Sequence, residues 1–259
     1  LWRCMNRYNQ IEEKADLGFA PDSSFPLTYA EKGLLQVKLH GPGWEDLSLQ
    51  AGRALNVVPD KATYKGQRLE ELLPVIEQSG VNYTEEAGAV TVLGLSKHSK
   101  DAAEGVNAIV GLAESLSLIQ PHPALLFIAD AVGQDATGAA LFGEIKDEPS
   151  GALSFNIATL FIDEERSEIG IDIRIPVLAD KEALVERLTE VAASYQLQYE
   201  EFDYLAPLYV PLDSPLVSIL MKVYQEETGD QTPAMSSGGA TFARTMENCV
   251  AYGALFPGA

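Results

Sequence analysis

Three histidines (His40, His98 and His122) and two cysteines (Cys4 and Cys249) are the only residues of their types in the 259-residue sequence. No two of the histidines stand at the spacing that lets imidazoles share a metal ion, and the cysteines form no CxxC pair. There is no HExxH helix, no HxD, no GxSxG elbow and no phosphate-binding P-loop. Spacing alone therefore assigns no catalytic class. Taken singly, each histidine reads as a structural or surface residue. The cysteines read as two buried free thiols in a reducing compartment.

The elements that would have to position a site alternate between strand-like and helical patterns, an α/β or α+β arrangement. Residues 1–14 predict a helix, and 15–30 predict loop and short strand around Pro21 and Pro26. Residues 34–39 and 47–58 read as strands. A helix is expected over 68–78, distorted by Pro74 and stopped at Gly80. Residues 81–95 read as a hairpin turning at 86–88. Residues 101–118 predict one helix capped by Asp101, with Val106, Ile109, Val110, Ala113 and Leu116 on one face. An apolar, helical segment follows at 121–132. A long hairpin is expected from 153–162 and 169–177 around the turn 163–168. Helices are predicted at 181–195, capped by Asp180, and at 215–228. The latter has Ser214 as cap, Pro215 at its first position and Gly229 as its stop. A Gly-rich turn at 236–239, a short helix and an apolar strand over 249–256 close the chain. Domain boundaries are expected near 31–33 and in the Pro-bearing segment 206–215.

Composition narrows the partners. With 46% hydrophobic residues the chain can bury a sizeable core, in one or two domains. Lys and Arg number 18 against 38 Asp and Glu, a net charge of −20. That field repels nucleic-acid phosphates and anionic membrane surfaces, so neither is expected as a partner. The longest apolar run, 124–132, is interrupted by Asp130 and falls far short of the ~18–20 residues of a membrane span. No apolar signal region opens the sequence, which points to a cytoplasmic protein.

More informative is a set of short segments in a fixed order. Gly18-Phe-Ala-Pro-Asp22-Ser-Ser-Phe-Pro26 is followed by Glu31-Lys-Gly33 and Gly52-Arg-Ala-Leu-Asn56-Val-Val-Pro59-Asp60. Gly94-Leu-Ser-Lys-His98-Ser and Asp101-Ala-Ala-Glu-Gly105-Val-Asn107-Ala108 come next. Ile173-Arg174-Ile-Pro176, Ser237-Gly238-Gly239-Ala-Thr241-Phe-Ala-Arg244 and Gly253-Ala-Leu-Phe-Pro257-Gly258 complete the series. Each piece alone is weak, and the order carries the specificity. Together they resemble the dinuclear zinc peptidases that include PepV-type bacterial dipeptidases, carnosinases and aminoacylases, and most of all the PepV type.

The resemblance implies an α/β fold in which a zinc-bearing catalytic domain is interrupted by an α+β lid built on antiparallel sheet. Residues 1–33 and 206–259 would belong to the catalytic domain and 34–205 to the lid. A long lid of this type implies a monomer. The resemblance implies two zinc ions, with manganese as an alternative, and a dipeptide substrate. Asp22 matches a zinc-ligand carboxylate. His98 matches a catalytic lid histidine that donates an N–H to the developing oxyanion. Asn56 matches a substrate-binding asparagine near the scissile bond, with an amide able to donate and accept. Arg174 matches an arginine that grips the dipeptide's free carboxylate. Gly238 and Gly239 would let backbone N–H groups approach the substrate. Thr241 and Arg244 share that motif without an assigned contact.

The match has a gap. Of five usual metal-ligand positions only Asp22 is present. The Glu-Glu pair of base and ligand is expected just before Leu1, and the last histidine ligand beyond Ala259. His40 and His122 do not stand at ligand positions. The expectation is a metallopeptidase sequence that is inactive as given, with apolar surface exposed near 249–256. Alternative readings are an N-acyl amino-acid deacylase, or a non-catalytic peptide-binding or dimerisation module derived from the family.

Overall fold

The strand Gly33–Pro42 alternates between buried and partly exposed residues over Leu35–His40, as a strand covered on one face should. The computed structural model describes residues 3–256, without the side chains of Arg3 and Asn6. Around this strand lies an antiparallel five-stranded sheet in the order Gln198–Leu205, Gly33–Pro42, Arg166–Ile175, Ser154–Ile162, Leu49–Ala51. Ile157, Ile171 and Val37 are register partners and enter the larger core on one face, together with Ile169, Ile173 and Leu39. Helices Ala108–Leu116 and Lys181–Ser194 supply Ile109, Leu112, Leu184 and Leu188 to the same core. The neighbouring positions Asn156, Asp172 and Gln36 are also register partners and form a polar row on the reverse face. That row is where the site is built.

A second, mixed sheet joins Gly18–Ala20, Cys249–Ala251, Thr28–Glu31 and Leu208–Tyr209, with Met235–Ser237 also paired to Thr28–Glu31. It has its own core of Leu27, Ala30, Leu216, Val217, Val250 and Ala251. The fold is mixed α/β. A three-stranded sheet, Lys61–Tyr64, Ala89–Leu93 and Tyr83–Glu86, packs against the larger core. No helix among the described residues is long and apolar enough to cross a membrane.

Strong local signals translate directly. Asp180 accepts from the Ala183 N–H, and Ser214 from the Val217 N–H, to start Lys181–Ser194 and Pro215–Thr228. Helix Leu69–Ser79 runs through Pro74, whose face is exposed, and ends at Gly80 with φ +75°. The hairpin turn falls at Ala87 and Gly88, both with positive φ.

Other expectations need correction. Residues 101–118 are not one helix. A 3-10 helix, Ser99–Glu104, is capped by His98; extended backbone at Gly105 breaks it, and Asn107 caps Ala108–Leu116 by accepting from Ile109 and Val110. Asp101 lies inside the first piece. The apolar segment 121–132 splits into Pro123–Leu126 and a π-helical turn, Phe127–Val132. Strand 47–58 shrinks to Leu49–Ala51, because Gly52 turns the chain away at φ +78°. The turn of the long hairpin tightens to 163–165, where Asp163 accepts from the Glu165 and Arg166 N–H groups.

Cys4 is exposed, so only Cys249 is a buried thiol, with burial pushing its pKa up. Residues 249–256 form two short strands, Cys249–Ala251 and Ala254–Leu255. The first is buried inside its sheet; Leu255 and Phe256 are the exposed apolar part. Pro257 and Gly258 of the last segment lie outside the described residues.

His122 shows how a lone histidine can be wholly structural. It is fully buried; Nδ1 accepts the Ala124 N–H at 3.1 Å, so Nε2 carries the proton and donates to the Pro42 carbonyl at 3.1 Å. Burial holds its pKa below the ordinary value, keeping it neutral. His122→Ala removes a cap and orphans a carbonyl, an expected loss of about 2–4 kcal/mol in urea unfolding.

Candidate functional site

Two segments cross over the reverse face of the large sheet and carry Asn56 and His98. Val57 and His98 form an isolated antiparallel bridge. The Ser99 N–H donates to the Asn56 carbonyl at 2.9 Å, and the Val58 N–H to the Lys97 carbonyl at 2.8 Å. Beneath them, buried Ser99 donates to the Leu55 carbonyl at 3.0 Å. Buried Asn156 donates to Ser99 Oγ at 2.9 Å and to the Val57 carbonyl at 3.0 Å. The sheet thus fixes the backbone of both segments and leaves the Asn56 and His98 side chains exposed.

The His98 tautomer follows from its neighbours. Nδ1 accepts the Lys100 N–H at 3.1 Å, so the neutral ring carries its proton on Nε2. That N–H has no partner among the described residues and is available to an acceptor. Partial desolvation of the ring first, and then the Arg174 cation, push the His98 pKa below the ordinary histidine value, against the opposing pull of Asp172. A histidine with a depressed folded pKa contributes stability that is full above the unfolded value of about 6.5 and is lost as pH falls through the folded value. His98 and His122 are both of this kind. Unfolding free energy measured in urea is therefore expected to fall as pH drops below about 6.5.

Arg174 stands on the strand Arg166–Ile175 and faces inward, 4% exposed. Nε donates to Asp172 Oδ1 at 2.6 Å and Nη2 to Oδ2 at 3.1 Å; Nη1 donates to the Gly238 carbonyl at 3.0 Å. Gln36 steadies Asp172 from the next strand, donating to Oδ2 at 3.0 Å. Three of the five guanidinium N–H groups are committed, and two remain for a ligand. The Gly238 contact brings the Gly-rich turn of the second sheet onto the large one. A Cβ on Gly238 would stand 2.7 Å from Lys100 Cβ, so the turn also lies against the helix that begins at His98. The Gly239 N–H is committed within the turn, to Ser237 Oγ at 3.0 Å.

His98, Asn56, Arg174 and Gly238 are thus one group. Asp22 joins it only through the segment after the turn: exposed, it accepts the Phe242 N–H on Oδ2 at 3.0 Å. No three His, Cys, Asp or Glu residues come together as a metal-holding set among the described residues. A catalytic zinc takes about three protein ligands. The donors present among the described residues do not by themselves fit a zinc site.

His40 is remote from this group, bonded to Glu200 at 2.6 Å on the strand exposed at the sheet edge. Reading the sequence missed Gln36, Asp172, Ser99 and Asn156. The available signal was a polar residue in an apolar strand, at Asn156 and at Asp172.

No protein-family model matches the chain. In fold it is similar to the aminoacylhistidine dipeptidase of Vibrio alginolyticus, with TM-score 0.53 and 11% identity over 94% of this chain and 60% of that one. In sequence it is 34% identical, over 99% of its length, to the Bacillus subtilis protein named "Putative dipeptidase YtjP". It is 30% identical over 98% to a Staphylococcus aureus protein similarly named a dipeptidase, and 28% identical over 98% to one of Staphylococcus haemolyticus. Its sequence is thus related, along nearly its whole length, to bacterial proteins named putative dipeptidases. It spans about 60% of the length of the curated relatives it matches.

Proposed function

We propose that the complete protein is a cytoplasmic, monomeric metallodipeptidase and that this chain supplies its substrate-binding part. Residues 34–205 act as the lid, and 1–33 with 206–259 as part of the catalytic domain. The observation that carries the reading is the meeting of Asn56, His98 and Arg174 with the Gly238 turn, in a chain whose bacterial relatives are named dipeptidases. Two N–H groups of Arg174 would take the free carboxylate of the dipeptide. The exposed Asn56 amide would bind beside the scissile bond. The His98 Nε2–H would stabilise charge developing on the carbonyl oxygen. Two zinc ions, or manganese, belong to the complete protein; Asp22 is the one candidate ligand in these 259 residues, so we expect the chain as given to be inactive.

The test is hydrolysis of an unblocked dipeptide such as alanyl-alanine, with zinc or manganese and a chelator control. The expected result is chelator-sensitive turnover by a chain of the relatives' full length and none by the 259-residue chain. In the longer chain, His98→Ala is expected to lower kcat by about 10²–10³. Binding of the dipeptide without turnover by the full-length protein would favour a binding module; release of an acyl group from N-acyl amino acids alone would make it a deacylase.

A further inference from the structure

Arg244 closes the Ser237–Arg244 segment, and no part in binding the substrate falls to it. It is buried, with its side chain 3% exposed against a fully buried Glu31. Its guanidinium reaches four acceptors. Nε donates to Glu31 Oε2 at 3.0 Å, Nη1 to the Ala206 carbonyl at 2.9 Å, and Nη2 to the carbonyls of Lys32 at 3.0 Å and Gly239 at 2.9 Å. Thr241 completes the set, donating to Glu31 through its N–H at 3.0 Å and its hydroxyl at 2.5 Å.

The positions of these acceptors matter more than their number. Lys32 lies between Thr28–Glu31 of the small sheet and Gly33–Pro42 of the large one. Ala206 lies between Gln198–Leu205 of the large sheet and Leu208–Tyr209 of the small one. These are the two places where the chain passes from one sheet to the other. Gly239 follows Gly238, whose carbonyl is held by Arg174 of the large sheet.

We propose that Arg244 is a positioning residue, which fixes both linkers against the Gly238–Gly239 turn and so holds that turn in register with Arg174 and His98 of the large sheet. A planar fork meets four oxygens in set directions, whereas a lysine offers the charge without the directions. What the register does for a substrate rests on the dipeptidase reading; the positioning itself does not.

The experiment uses the 259-residue chain, without metal or substrate, so a failure of hydrolysis and a failure of this inference are separate results. NMR follows the imidazole titrations and the amide exchange of the parent and of Arg244→Lys. In the variant the turn no longer covers the His98 segment. The His98 pKa is expected to move up toward the ordinary value, with His122, deep in the other core, unchanged. Exchange of the Lys32 amide, which donates to the Ser237 carbonyl at 2.9 Å, is expected to quicken about tenfold or more. A lower melting temperature with His98 and Lys32 both unmoved would reduce Arg244 to a stabilising residue and overturn the proposal. Should the variant not fold, the parent decides. Its Arg244 Nε–H is expected to exchange at least about tenfold more slowly than that of exposed Arg53, and equal rates would sink the idea.

Discussion

Asp172→Ala is expected to lower the unfolding free energy by about 3–5 kcal/mol. Asp172 is fully buried and takes two N–H groups from Arg174 and one from Gln36. Its removal leaves a guanidinium that is 4% exposed without a counter-charge. The penalty comes mostly from that stranded cation, and a second substitution separates the two contributions. In Asp172→Ala with Arg174→Met both charges are gone. What remains unpaired is the Gln36 amide and the Gly238 carbonyl, at about 1–3 kcal/mol each at most. The double variant should therefore lose less than the sum of the two single variants, by well over 1 kcal/mol in urea unfolding. A loss below about 1 kcal/mol in Asp172→Ala alone would mean that Arg174 finds water or another partner and that Asp172 does not orient it. A buried ion pair adds little over apolar residues of the same volume. The worth of this one lies in where it holds the guanidinium: one edge toward the Gly238 carbonyl, with two N–H groups left over.

The same pair marks the limit of what the sequence discloses. Helices Lys181–Ser194 and Pro215–Thr228 were legible because their caps and stops lie within four residues of the elements they define. The hairpins were legible because turn and alternation are local. The failures occur where a tertiary partner decides. Asp101 looked like the cap of a long helix, yet Asn107 holds that role and also bonds the Ile157 carbonyl of the sheet. The strand Gln198–Leu205 was not foreseen, because an edge strand with Glu200, Glu201 and Asp203 lacks the apolar alternation that announces strands nearer the middle of a sheet. At the site, His98 and Arg174 stood out through the order of short segments, whereas Gln36 and Asp172, 136 residues apart, meet only through strand register.

Gly52→Ala is expected to be about as damaging as the loss of Asp172, for a steric reason. Gly52 has φ +78°, and a Cβ there would stand 1.9 Å from the Ala158 carbonyl oxygen and 2.9 Å from Thr159 Cα. Both obstacles are backbone of the strand Ser154–Ile162, at the irregularity between Ile157 and Thr159. The left-handed backbone costs an alanine about 1–2 kcal/mol, and crowding against a packed strand adds about 1–3. Gly80→Ala supplies the comparison: its φ is +75°, but nothing lies within 4 Å of the added carbon. That substitution should cost about 1–2 kcal/mol, the conformational part alone. The difference between the two isolates the close approach in urea unfolding. The chain could relieve the clash only by lifting the 53–58 segment, which carries Asn56 and forms the Val57 bridge to His98. A folded Gly52→Ala protein should therefore also show the His98 titration moved up toward the ordinary value as its cover loosens. Equal costs for Gly52→Ala and Gly80→Ala, with His98 unmoved, would mean that the strand yields and that the segment bearing Asn56 is not held by the sheet.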